Sequence, residues 1–200
     1  KELVLCGMLL ASRGIVGGIE WCKENAEDPA IGKTAEKAKK QFAGREIKGK
    51  TLGVIGLGAI GKKVAQIATA FGCEVIYYSA SGKKRSDEYR QVDLDTLLKG
   101  SDIVSCHAPL NEKTYHLMDA EAFGKMKETA LFINVGRGPI VNEKDLAKAL
   151  KKGKIAAAGL DVLEEEPMRK DNPQAGGWRP SSDHAAYRMG GSRGAHASAA

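Results

Sequence analysis

A chain of 200 residues is long enough to close one hydrophobic core, and hydrophobic and charged fractions of 42% and 28% favour neither a disordered chain nor a membrane protein. The net charge of +6 hints at anionic partners. The lysines, however, are spread along the chain and not clustered with aromatics, which reads as solvated faces and argues against nucleic-acid binding.

Lys1 to about Asn25 reads as one amphipathic or largely buried helix, loosened at Gly14 and at Gly17-Gly18. Its apolar stretch Leu3 to Ala11 is too short to span a bilayer. It also lacks an initiator Met and a convincing cleavage site, so no membrane partner is expected and a cytoplasmic location is. A start inside a helix suggests that something upstream has been removed. Residues 26–49 are polar, Lys-rich and carry Pro29, as a surface connection would. Cys6, Cys22, Cys73 and Cys106 show no C-x-x-C and no Cys/His pairing at metal-ligand spacing. They read as small core residues in a reducing compartment, with no metal site.

The chain is organised around Gly56-Leu57-Gly58-Ala59-Ile60-Gly61. Before it, Lys50 to Ile55 has the length and β-branching of a buried parallel strand; after it, Val64, Ile67, Ala68 and Phe71 recur at helical spacing, with Gly72 placed to end the helix. A G-x-G-x-x-G at a strand-to-helix turn has a mechanism. Gly56 permits the turn, Gly58 lets backbone approach a pyrophosphate, Gly61 lets helix and strand pack closely, and the helix N-terminus faces the phosphates. The alternative is a glycine turn without a ligand.

Further on, Cys73 to Tyr78, Asp102 to Ala108, Ala130 to Val135 and Ile155 to Leu163 read as strands. Val92 to Leu98, Ala120 to Lys127 and a segment capped by Asn142 and running to about Lys152 read as helices. The alternation predicts an α/β Rossmann fold, a doubly wound parallel sheet with helices on both faces. Ligands in such sheets sit at the carboxyl ends of the strands, which selects Ser79, His107, Ala108, Arg137 and Asp161. After Pro173 the chain has no Leu, Ile, Val or Phe, so residues 174–200 read as an irregular tail unable to supply a core-facing element. The expected units are thus 1–49 as helix and connection, 50–173 as the dinucleotide-binding domain, and the tail.

Arg137, flanked by Gly136 and Gly138 at a strand end, can pair with a carboxylate through its fork of donors, or be a solvent-facing turn residue. Glu164-Glu165-Glu166 concentrates carboxylates, one of which can raise the pKa of a histidine base; the alternative is a charged loop.

Four ordered segments, GREIKGKTLGVIGLGAIGKKVA, DIVSCHAPLNEKT, LFINVGRGPIVNEKDLAKAL and AAAGLDVLEEEP, resemble the D-isomer-specific 2-hydroxyacid dehydrogenases, most of all the glycerate/hydroxypyruvate reductase and phosphoglycerate dehydrogenase branch. The resemblance covers the nucleotide-binding domain, and the substrate domain that precedes it in that family is absent from this sequence. It implies hydride transfer between NAD or NADP and a small D-2-hydroxy acid or 2-keto acid. It further implies that Arg137 holds and polarises the 2-keto acid while Glu166 tunes the histidine that shuttles the proton. Asp161 would bond the nicotinamide carboxamide, and Val135 and Gly136 would lie near the nicotinamide. Ala59 and Ile60 would lie against the pyrophosphate, and His107, Ala108 and Pro109 would border the adenosine. A homodimer is implied too. The rival from another class is a dinucleotide-sensing module without chemistry, like the co-repressors that resemble these dehydrogenases.

Two positions depart from the family pattern. Its usual acid on the ribose 2′-hydroxyl is Ser79 here, with Lys83, Lys84 and Arg85 nearby, which predicts relaxed or NADP-leaning preference. The alternative, in which Ser79 still bonds the ribose, keeps NAD as the first reading. The catalytic histidine belongs in a segment like I-T-P-H-I-A-W-A, whereas this chain reads Asp183-His184-Ala185-Ala186-Tyr187-Arg188-Met189-Gly190. Met189 is encoded by ATG and Gly190 begins with G, so a shift of one base reads TGG, a Trp, at that point. The same shift lets the preceding codons read Ile-Thr-Pro-His-Ile-Ala. A frameshift after Pro173 is therefore expected, His184 is a decoy, and the chain as it stands should bind dinucleotide but turn over poorly.

Overall fold

Short apolar runs separated by amphipathic segments of three or so turns can bury both faces of a sheet only by crossing over it, and this chain does so repeatedly. The computed structural model describes residues 1–165 and the backbone of residues 185–188. The strands are β1 (Thr51–Ile55), β2 (Glu74–Tyr78), β3 (Arg90–Gln91), β4 (Ile103–Cys106), β5 (Leu131–Asn134), β6 (Ala157–Leu160) and β7 (Ala185–Arg188). They form one seven-stranded sheet in the order β3-β2-β1-β4-β5-β6-β7. Every pairing is parallel. The chain winds outward from β1 to β3 and then returns to lay β4 beside β1, so the winding reverses between those two strands. This is the predicted doubly wound Rossmann arrangement.

Seven helices accompany the sheet among the described residues: α1 (Glu2–Ser12), α2 (Ile15–Glu24), α3 (Ile31–Ala38), α4 (Ala59–Ala70), α5 (Leu94–Gly100), α6 (Ala120–Lys125) and α7 (Glu143–Lys151). On one face, α5, α6 and α7 set Leu97, Leu98, Phe123, Leu146 and Leu150 against Ile55, Val104, Phe132 and Ala158. On the other, α1 and α4 set Val4, Met8, Val64 and Ala68 against Leu52, Val54, Ile103, Ile133 and Ala157. Alternate residues of β1 thus go to opposite cores, as a period of two requires. Asp93, Asp119 and the predicted Asn142 cap α5, α6 and α7 through their side chains.

Four expectations need correction. The N-terminal helix is two helices, α1 and α2, bent by 62°. The break is packed, not merely loose: a Cβ on Gly14 would lie 2.7 Å from the Phe42 Cα. Residues 26–49 are more than a connection, since they contain α3 and a 3-10 turn at Lys39–Phe42. Asp28 organises the start of α3 by accepting from the Ala30 N–H at 2.8 Å and the Thr34 hydroxyl at 2.8 Å. Cys73 and Cys106 are buried as expected, but Cys6 and Cys22 are exposed. The reason is helical spacing: α1 buries Val4, Gly7 and Met8, which turns Cys6 outward, and α2 buries nothing. Finally, β7 puts a strand inside the stretch read as irregular, and β3 is a strand where none was expected. Among the described residues no single helix is long and apolar enough to cross a membrane.

Asp102 joins the start of β4 to its neighbours, accepting from the Thr51 N–H at 3.0 Å and from Lys127 Nζ at 3.0 Å. Burial raises its pKa, but those two donors outweigh it and hold the carboxyl below the usual range. The ionised form therefore stabilises the fold above the unfolded carboxylate value, and that stability is lost as pH falls through the depressed one. Asp102→Asn should cost about 1 kcal/mol in urea unfolding at pH 7. The gap to wild type should close in acid, and a gap that persists there would refute the assignment.

Candidate functional site

The site begins where β1 stops. Gly56 has φ +92°, and a Cβ there would sit 2.7 Å from the Ala108 N, so the exits of β1 and β4 touch where the winding reverses. The Gly58 N–H bonds the Gly56 carbonyl at 3.0 Å, and Lys62 N–H then bonds the Gly58 carbonyl at 2.9 Å to open α4. A Cβ on Gly61 would come within 2.4 Å of the Gly56 carbonyl oxygen, so the helix packs tight on the turn. At Gly58, by contrast, a Cβ would meet nothing within 4 Å. Gly58 is also the N-cap of α4 and gives no side-chain cap, which leaves first-turn N–H groups directed outward beside exposed Ala59 and Ile60.

From this turn a cavity of about 800 Å³ runs between the end of β2 and the loop after β4. It is lined by Gly56, Gly58, Ser79, Ser81, Arg85, His107, Ala108, Pro109 and Asn111 to Thr114, among others. Open space over Gly58, continuous with a polar pocket at Ser79, fits the pyrophosphate and ribose of a dinucleotide. Ser79 is buried, with its Oγ 3.1 Å from the Ser81 Oγ, and Arg85 Nη2 donates to that same Ser81 Oγ at 3.4 Å. Of the three cations singled out in the sequence, Arg85 lines the cavity, whereas Lys84 pairs with Asp87 at 2.5 Å.

His107 Nε2 lies 2.8 Å from the Ser105 hydroxyl, and burial pushes the imidazole down to about 4. It is neutral at pH 7 and offers a dinucleotide no charge. Because the fold resists its protonation, stability is full above the unfolded histidine value of 6.5 and declines as pH falls from there towards 4. His107→Gln should flatten the pH-dependence of thermal unfolding across that window; an unchanged slope would refute this account.

A second group of residues lies further along the same edge. Asn134, the last residue of β5, accepts from the Gly136 N–H at 3.1 Å and donates to the Arg137 carbonyl at 3.1 Å. Its side chain therefore shapes the turn that presents Arg137, whose exposed guanidinium donates to the Gly136 carbonyl at 2.9 Å. The Val135 N–H reaches the Cys106 carbonyl at 3.4 Å and the Asp161 N–H reaches the Asn134 carbonyl at 2.9 Å, tying the exits of β4, β5 and β6 together. Beyond Asp161, Glu164 Oε1 meets His116 Nε2 at 2.8 Å, and the Glu164 N–H donates to the buried Glu143 carboxylate at 2.6 Å.

The structure thus gathers Gly56, Gly58, Ser79, His107, Ala108 and Pro109 round one cavity. Ala59, Ile60 and Gly61 stand at the adjoining helix start, and Val135, Gly136, Arg137 and Asp161 along the edge beyond. Glu166 and His184 lie outside the described residues. Sequence reasoning missed Asn134 and the His116–Glu164 pair. Asn134 sat in a quoted motif, but nothing in the sequence joins residues 116 and 164.

A family model described as D-isomer specific 2-hydroxyacid dehydrogenase, NAD binding domain, matches residues 5–178. Glyoxylate/hydroxypyruvate reductase B of Escherichia coli O6:K15:H31 is 46% identical over 154 residues, which are 75% of this chain and 48% of that protein. Among solved structures, an acyclic imino acid reductase in complex with NADPH and D-Arg superposes with TM-score 0.76 at 33% identity, over 94% of this chain and 55% of that one. D-2-hydroxyisocaproate dehydrogenase superposes with TM-score 0.78 at 26% identity, over 93% of this chain and 57% of that one. The chain spans about half the length of the relatives it matches.

Proposed function

The chain belongs to the D-isomer-specific 2-hydroxyacid dehydrogenase family and carries its NAD(P)-binding domain; from that premise we propose that the protein interconverts a small D-2-hydroxy acid and its 2-keto acid, of the glycerate and hydroxypyruvate kind. The observation that carries this reading is Arg137. A turn shaped by Asn134 presents it at the sheet edge that also holds the dinucleotide cavity, where its donors can hold the substrate carboxylate and polarise the keto oxygen. The nicotinamide, when bound, supplies or accepts the hydride. Gly56, Gly58, Ala59, Ile60 and Gly61 would hold the pyrophosphate, and Ser79 the ribose. His107 to Pro109 would border the adenosine, while Val135, Gly136 and Asp161 would border the nicotinamide.

Reduction places a hydride on the keto carbon and a proton on its oxygen, so a proton donor is required. Glu166 would tune a histidine for that role, and the histidine comes from the segment after Pro173 read one base out of register. The family match ending at residue 178 supports this. Resequencing the coding DNA from the Asn172 codon through the Gly190 codon tests it: an extra or missing base restores Pro-His-Ile-Ala-Trp, and an intact frame removes the donor. The enzyme is a cytoplasmic homodimer in this reading, which light scattering checks for the dimer. The function itself is tested by titrating NADH and NADPH and by assaying hydroxypyruvate reduction. Saturable binding of a reduced dinucleotide supports it, and binding of neither overturns it.

A further inference from the structure

Tyr77 is a fully buried β2 residue whose ring packs in the core with α4, yet its hydroxyl serves the loop that leaves the strand. That oxygen accepts the Arg85 N–H at 2.9 Å and the Ser86 N–H at 3.3 Å, and donates to Gln91 Oε1 at 3.1 Å. Gln91, on the short β3, in turn donates from Nε2 to the Gly82 carbonyl at 3.3 Å. The loop from Ser79 to Ser86 is therefore fixed to the sheet through one phenol and one amide.

The consequence falls on Arg85. Its backbone hangs from the Tyr77 hydroxyl, and its guanidinium reaches Ser81 beside buried Ser79, on the cavity wall. With Ser79 in place of an acid, no carboxylate at the end of β2 repels a phosphate there, and Lys84 is engaged by Asp87. We propose that Tyr77 is the positioning residue that sets cofactor preference: its hydroxyl fixes the turn that brings Arg85 to the ribose end of the cavity, so that the site takes a 2′-phosphate. This rests on the dinucleotide reading of the cavity given above.

Removing the hydroxyl keeps the ring and its packing, and the two amides it releases are close enough to the surface to find water. The fold should survive while Arg85 loses its fixed place. Fluorescence titrations of NADH and NADPH into wild type, Tyr77→Phe, Arg85→Gln and the double variant test this. Wild type should bind NADPH at least as tightly as NADH. Tyr77→Phe should lower the NADPH-to-NADH affinity ratio about fivefold. Arg85→Gln should lower it about tenfold or more. The double variant should match Arg85→Gln alone, because the tyrosine acts through the arginine. An unchanged ratio in Tyr77→Phe, or losses that multiply in the double variant, would overturn the proposal, whereas a merely structural role would shift both affinities together. A wild type that binds NADH at least a hundredfold more tightly than NADPH overturns the 2′-phosphate inference and leaves the dehydrogenase reading standing. Binding of neither dinucleotide overturns both.

Discussion

In the full-length enzyme with the Pro-His-Ile-Ala-Trp frame restored, Arg137→Gln should reduce kcat/KM for hydroxypyruvate by about 10²–10³-fold, with dinucleotide affinity falling less than threefold. The asymmetry follows from where the residue sits. The cavity proposed to take the dinucleotide is lined by Gly56, Ser79 and His107 on the β1, β2 and β4 side, while Arg137 leaves β5 further along the edge. Its guanidinium is exposed and, among the described residues, is held by the Gly136 carbonyl, so glutamine costs the fold little. What is lost is a pair of fixed donors for a carboxylate and a developing alkoxide, which glutamine cannot replace with a charge. Arg137→Lys separates the two contributions. It keeps the charge and loses the fork, so it should recover only part of the activity. The kinetics are read at saturating dinucleotide, with affinity measured separately by fluorescence. Reduction at wild-type rates in Arg137→Gln would remove the arginine from the substrate site and take away the observation on which the proposed function stands.

How far the sequence carries can be read from particular residues. The turn from Ile55 through Gly61 was legible because every part of its signal is local: an apolar run, glycines where sterics demand them, and a helical repeat. The predicted cap at Asn142 is local as well, made by a side chain three residues from the amide it accepts, and Asp93 and Asp119, not predicted as caps, have the same geometry. β3 is another matter. Two residues, Arg90 and Gln91, carry no periodicity, and they are strand only because β2 offers an edge to pair with. The same holds for β7, whose composition argues against a core element while its backbone pairs with β6. Cys6 looked like core because its helix is apolar on most sides, and which side faces the sheet is settled by tertiary packing. In the candidate site, the strand-end rule selects Ser79, His107 and Ala108, which line the cavity because topology alone brings strand ends together, along with Arg137 and Asp161, which stand outside it. It said nothing of Tyr77 or of Glu164 with His116, whose partners lie 8 and 48 residues away and are chosen by loops.

The steric consequence of that loop choice is greatest at Gly138. A Cβ added there would lie 1.7 Å from the Leu163 carbonyl oxygen, 2.0 Å from its carbonyl carbon and 2.5 Å from the Glu164 nitrogen. All three are backbone atoms, so no rotamer change relieves the overlap, and one of two segments has to move. Neither is loose. On the Gly138 side, the Val141 N–H bonds the Gly138 carbonyl at 2.9 Å and Val141 bridges to Met118. On the other, Glu164 is held by Glu143 and by His116. Gly138→Ala should therefore cost about 3 kcal/mol, the upper end of overpacking penalties, and lower Tm by roughly 6–12 °C for a chain of this size. Displacement also separates the two loops the proposed chemistry needs together, the turn that presents Arg137 and the segment that continues from Asp161 into Glu164 and Glu165. In the full-length, frame-restored enzyme, activity should then fall further than instability alone explains, even well below the melting range. Gly124→Ala supplies the comparison, since a Cβ at that position of α6 meets nothing within 4 Å and alanine favours a helix. Gly124→Ala should match wild type or exceed it in stability. If Gly138→Ala also unfolds within about 0.5 kcal/mol of wild type, the close approach of these two loops is not a feature of the folded protein, and the joint placement of Arg137 and the acidic segment falls with it.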